Sequence, residues 1–83
     1  MYSVESIKQM VISALGEATG QEFQKNLPNS TDLYKKLYLD SMDAANLLMM
    51  LENDFDVVVD DGRFSSLTTL GEVVDLLDEL QTK

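Results

Sequence analysis

Leu37-Tyr38-Leu39-Asp40-Ser41-Met42-Asp43, continued by Ala44-Ala45-Asn46-Leu47-Leu48-Met49-Met50-Leu51-Glu52-Asn53-Asp54-Phe55, is the stretch on which the fold turns. Asp40 or Ser41 is placed to cap a helix, and Asp43 falls in its first turn. There the unpaired N–H groups and the positive end of the helix dipole favour negative charge, by roughly 0.3–1 kcal/mol. Along this helix Leu47, Met50, Leu51 and Phe55 make an ordinary core stripe. Met42, Ala45 and Met49 recur at helical spacing on a different face, beside Asp43, Asn46 and Glu52. A chain of 83 residues cannot bury both faces completely unless this helix lies at the centre, surrounded by neighbours. Exposed methionine, flexible and polarisable, suits a surface that meets several partners.

Upstream, Val4, Ile7, Val11, Ala14, Leu15 and Ala18 recur at spacings of three and four, which predicts an amphipathic helix over residues 4–18. Ser3 is its expected N-cap and Thr19-Gly20 its stop. Gly16 inside it costs about 1 kcal/mol against alanine, so either the last turn is weak or something packs close there. Residues 21–39 hold the only proline and keep no period, so they read as a long connection with a turn at Leu27-Pro28-Asn29. Phe23, Leu27, Leu33 and Leu37 are expected to pin it to the core, with Ser30 or Thr31 capping a short helical turn over residues 32–36.

Downstream, Val57-Val58-Val59 has no second strand-like segment to pair with, so an extended connection is expected, with at most one short helical turn over residues 61–66. Thr69-Leu70-Gly71-Glu72 has the form of a capping box, and Leu70, Val73, Val74, Leu77 and Leu80 then share a face. A final helix over residues 70–81 follows. The chain reads as all-α.

The composition excludes whole classes of chemistry. With no cysteine and no histidine there is no disulfide, no thiolate or imidazole metal ligand and no Ser-His or Cys-His nucleophile pair. A net charge of −9 argues against nucleic acid, since binding a polyanion depends on Lys and Arg displacing its counterions. Residues 37–82 hold eleven acidic residues and one basic residue, Arg63, making an acidic half suited to steering towards basic patches on partners. No apolar run approaches the ~20 residues of a membrane span, and Glu5 with no basic cluster argues against a secretory leader. The expectation is a single domain over residues 1–83, monomeric and cytoplasmic.

Asp54, Asp56, Asp60, Asp61 and Gly62 invite a calcium reading, but valines occupy the middle of the run and the glycine is displaced from the sixth position an EF-hand needs. The acids fall at polar positions or helix starts, where solvation and capping explain them better than acid–base catalysis. Ser41 lies outside any G-x-S-x-G elbow and has no histidine to activate it. Taken alone, a serine at a helix start is a cap.

The surrounding pattern says more. Leu37-x-x-Asp40-Ser41-Met42-Asp43, then Leu47, Leu51-Glu52 and Phe55-Asp56, then Thr68-Thr69-Leu70 before an apolar helix, resembles the acyl carrier protein family along the whole chain. The resemblance implies a four-helix bundle with a long first loop and a short third helix. It implies that Ser41 receives 4'-phosphopantetheine from coenzyme A, through a phosphopantetheinyl transferase using magnesium. The arm's thiol, which this chain lacks, would hold acyl groups as thioesters for acyl-transferring, ligating or condensing enzymes with basic patches. On the same footing Met42, Ala45 and Met49 match positions where such carriers meet partners, with Asp40, Asp43, Asn46 and Glu52 around them.

The chain departs from the family pattern at Tyr38, where glycine is common, at Met42, where leucine is common, near Asp60, where proline is common, and over Gly62-Arg63-Phe64-Ser65-Ser66. Asp-Ser-Met also occurs in D-alanyl carriers, while Asp43 is closer to fatty-acid and polyketide carriers. A pocket for an acyl chain is expected between the second helix and the third and fourth, involving some of Leu48, Leu51, Val59, Leu67 and Val73. The competing readings are an aminoacyl carrier, an unmodified acidic interaction module and a cation sensor.

Overall fold

In the computed structural model, which describes residues 2–81, the chain forms four helices. They are α1 (Val4–Thr19), α2 (Ser41–Phe55), α3 (Asp61–Ser65) and α4 (Leu70–Gln81). Among the described residues there is no strand, only an isolated bridge between Asp32 and Thr69, and no helix is long and apolar enough to cross a membrane. The all-α expectation and the helix order hold.

Helix α1 starts where the Ser3 hydroxyl accepts the Ser6 N–H at 3.1 Å and ends at left-handed Gly20, whose N–H reaches the Gly16 carbonyl. Gly16 is where the chain turns back on the helix: a Cβ there would stand 2.9 Å from the Gln21 carbonyl oxygen, so close packing is the reason for the glycine. Ile7, Val11 and Leu15 are fully buried against α2 and α4. Val4, expected in the same stripe, is half exposed, because it sits in the first turn beyond the reach of the bundle.

The long connection has no regular structure, yet its backbone is hydrogen-bonded to the end of the molecule. The first N–H groups of α4 lack partners within their own helix. Leu70 N–H donates to the Thr31 carbonyl at 3.0 Å and Gly71 N–H to the Asn29 carbonyl at 2.8 Å, while Leu33 N–H donates to the Thr68 carbonyl at 2.7 Å. Leu33 is buried, Phe23, Leu27 and Leu37 are half-buried as expected, and Leu39 is a further buried anchor. The turn over residues 32–36 is not capped by Ser30 or Thr31. Asp32 caps it, accepting the N–H groups of Tyr34 and Lys35, because Thr31 is drawn inward to meet α4.

Gly71 is the hinge of this stitching: an added Cβ would stand 2.9 Å from Asn29 Cβ and 3.1 Å from its carbonyl oxygen. Gly71→Ala is therefore expected to lose about 1–3 kcal/mol in a urea melt despite alanine's better helix propensity, because the connection must lift from α4. A gain in stability would mean the connection is not held there.

Helix α4 opens with the expected capping box. Thr69 Oγ1 accepts the Glu72 N–H at 3.3 Å, and Glu72 Oε1 accepts the Thr69 N–H at 3.0 Å. The same oxygen also takes the Thr68 N–H and both threonine hydroxyls. The Thr68 N–H, then the Thr69 N–H and the two hydroxyls hold the exposed Glu72 carboxyl below its ordinary value. Its contribution to stability is thus present above the ordinary carboxylate range and fades as pH falls through the lowered value. Tyr2 joins the two chain ends, exchanging backbone hydrogen bonds with the Gln81 side chain and stacking edge-on against Phe55 with ring centroids 5.4 Å apart.

Candidate functional site

Asp40, not Ser41, caps α2. Its backbone is extended, its carboxylate accepts the Asp43 N–H at 2.7 Å, and the Asp43 carboxylate reaches back to the Asp40 N–H at a long 3.5 Å. This reciprocal box ties one carboxylate oxygen of each aspartate to a backbone donor. Ser41 becomes the first residue of the helix, exposed, and its hydroxyl makes no hydrogen bond among the described residues. An anion carried on that oxygen would stand at the positive end of a 15-residue helix.

The two faces of α2 separate as the pattern predicts. Leu47 and Leu51 are fully buried and Leu48 nearly so, with Met50 and Phe55 half-buried. Met42 is 72% exposed and Met49 67%, and Ala45 and Asn46 are open as well. Ser41, Ala45, Met49 and Glu52 follow one another at spacings of four, four and three, so they share one side of the helix with Met42 at its edge. The structure thus brings Ser41, Met42, Ala45 and Met49 together. Asp43 and Asn46 lie round the helix from them.

Glu52 proves to have a structural role. Its carboxylate accepts the Val59 N–H at 2.9 Å, holding the connection to α3 against α2 after the left-handed turn at Asp56. Beyond that tether Phe64 anchors α3 in the core, and Arg63 makes an exposed ion pair with Glu79 on α4. Asp60 caps it, accepting the Gly62 N–H at 3.1 Å.

Between α2 and α3, starting at Ser41, runs an open groove of about 420 Å³. Ala44, Ala45, Leu48, Met49 and Phe64 give it an apolar lining, with Ser41, Glu52, Asp61 and Ser65 on its rim. Of the residues expected to form an acyl pocket only Leu48 belongs to it. Leu51 and Val73 are fully buried and Val59 nearly so, while Leu67 faces a separate hollow with Leu76 and Arg63. The close packing of the core leaves the hollow at the surface. Phe64 was missed as a lining residue. As the one large apolar side chain in residues 61–66 it had to be the anchor of α3. A larger, shallower hollow of about 960 Å³ lies along α1 and the start of the connection, with no residue of α2 in its lining.

An exposed, unbonded hydroxyl at a helix N-terminus, next to an apolar groove, fits a covalently held phosphodiester arm. Among the described residues no group of acidic side chains is placed to hold a metal ion. The comparisons with known proteins agree with that fit. Residues 5–77 match the family described as the phosphopantetheine attachment site. The chain is 32% identical over 83 residues to the mitochondrial acyl carrier protein of Saccharomyces cerevisiae, covering 90% of this chain and 62% of that one. It is 30% identical over 77 residues to the D-alanyl carrier protein of Lactobacillus delbrueckii subsp. bulgaricus, covering 90% of this chain and 94% of that one. The chain spans less than two thirds of the yeast relative and nearly all of the bacterial one. It belongs to the phosphopantetheine-attachment family of carrier proteins, whose members are not enzymes and hold 4'-phosphopantetheine covalently.

Proposed function

We propose that this chain is an acyl carrier, with Ser41 as the attachment point of the arm. The observation that carries the reading is the exposed Ser41 hydroxyl on the first turn of α2, unbonded among the described residues because Asp40 supplies the cap. In the loading step Ser41 Oγ bonds to the phosphorus of coenzyme A that bears the pantetheine. The pyrophosphate bond breaks, adenosine 3',5'-bisphosphate leaves, and the hydroxyl proton passes to a base on the transferase. When bound, the arm supplies a terminal thiol that holds cargo as a thioester. The chain's own part is to hold the serine rigidly, to steer basic enzymes with its acidic half, and to offer Met42, Ala45 and Met49 as a small contact. Such contacts are weak and salt-sensitive, as transient hand-over requires.

The cargo we assign is an acyl group of fatty-acid or polyketide type, because the groove beside Ser41 is lined mainly by apolar side chains. A D-alanyl cargo is the second reading, favoured by the near full-length match to a D-alanyl carrier. The test offers the arm-bearing protein malonyl groups from an acyltransferase and D-alanine from an adenylating ligase, and reads the thioester by mass. Malonyl loading alone supports the assignment; D-alanine loading alone reverses it.

A further inference from the structure

Resting on the reading of Ser41 as attachment point, we propose that Tyr38 is a specificity residue: it docks the phosphopantetheinyl transferase that loads this chain. Tyr38 has φ 59°, a left-handed conformation that glycine takes freely and a bulky side chain does not. The other non-glycine residue with positive φ among those described, Asp56, closes α2, and aspartate tolerates the conformation. Tyr38 closes no helix. Its side chain is 81% exposed and has no hydrogen bond or ring partner among the described residues. The side chain adds backbone strain and exposed apolar area, and neither favours folding. Its use therefore lies outside the chain.

Position identifies the occupant. Leu39 is buried and its N–H donates to the Leu33 carbonyl at 3.1 Å, while Leu37 is half-buried, so the backbone on both sides is pinned and the ring is held outward. Three residues of chain place the Tyr38 Cα within about 11 Å of that of Ser41. An enzyme that must bring coenzyme A to the Ser41 hydroxyl covers this ground, with Met42 on its other side. Of the six large apolar side chains exposed among the described residues, Tyr38, Met42 and Met49 lie on the connection into α2 or on α2 itself. With Asp40 between Tyr38 and Ser41, the complementary surface is an apolar socket rimmed by basic side chains.

The test compares wild type with Tyr38→Gly, Tyr38→Asn and Tyr38→Phe, in steady-state loading by the transferase with coenzyme A and magnesium, alongside thermal melts. Glycine and asparagine both accept positive φ, so these variants are expected to melt no lower than wild type. Their KM as carrier substrates is expected to rise on the order of tenfold with kcat within about twofold, and Tyr38→Phe is expected to keep the wild-type KM. A KM within about twofold of wild type for both Gly and Asn variants overturns the proposal. So does a loss confined to kcat, which would mark a backbone effect. If the wild-type chain itself takes up no arm, the reading of Ser41 fails first; normal loading of every variant sinks the role of Tyr38 alone.

Discussion

Ser41→Ala is expected to fold with wild-type stability and to take up no phosphopantetheine at all. The two halves of that result come from the same geometry. If Ser41 were the cap of α2, losing its hydroxyl would cost about 1 kcal/mol, the usual effect of removing a side-chain acceptor from the first turn. The acceptor is Asp40, which holds the Asp43 N–H at 2.7 Å, and the serine oxygen bonds nothing among the described residues. Alanine is a good helix former in that exposed place, so the urea midpoint should move by no more than about 0.5 kcal/mol. Asp40→Ala is the control: it should cost about 1 kcal/mol and leave the hydroxyl available. A destabilised Ser41→Ala that still gains the arm would show a structural serine and an attachment point elsewhere.

Leu51→Ala carries the largest expected loss of stability. Leu51 is fully buried, on the side of α2 that packs against the rest of the core. Removing its side chain is expected to cost about 2–5 kcal/mol, the transfer energy plus the cavity left behind. A domain of this size has roughly 4–12 kcal/mol in total, so the variant should sit near the edge of folding at 37 °C. Met49→Ala, two residues earlier, should change stability by less than about 0.5 kcal/mol, because Met49 is 67% exposed. The contrast, read as urea midpoints at unchanged slope, tests the division of α2 into a buried and a presented face. Comparable losses at both positions would mean that the methionine face is also packed in solution.

Much of this was legible in the chain itself, and for definite reasons. Helices α1, α2 and α4 each carry an apolar period and a side-chain cap, and those are signals written in residue types. The Thr69–Glu72 box was visible for the same cause, whereas the short α3, with Phe64 as its one large apolar residue and no period, rested on the family resemblance. The attachment to α4 of residues 29–33 was not, because it is made by backbone groups of Asn29, Thr31 and Leu33 that any sequence possesses. The bond from the Val59 N–H to Glu52 was hidden because it spans seven residues and a left-handed turn. Of the five residues named for an acyl pocket the groove between α2 and α3 keeps Leu48 alone, because Leu51, Val59 and Val73 are packed into the core, and Phe64 lines it in their place. Tyr38 stood out as a departure from glycine; that it keeps glycine's conformation only the backbone could reveal.

The most direct measurement is peptide mapping by mass spectrometry after incubation with coenzyme A, magnesium and a phosphopantetheinyl transferase. Trypsin cuts after Lys36 and Arg63, and the peptide between them contains Ser41 as its only serine and no threonine. Placing the arm on that peptide, with fragment ions assigning it to Ser41 and not to Tyr38, is the predicted result. An arm found on residues 64–83, where Ser65, Ser66, Thr68 and Thr69 offer other hydroxyls, or on no peptide at all, would contradict the account.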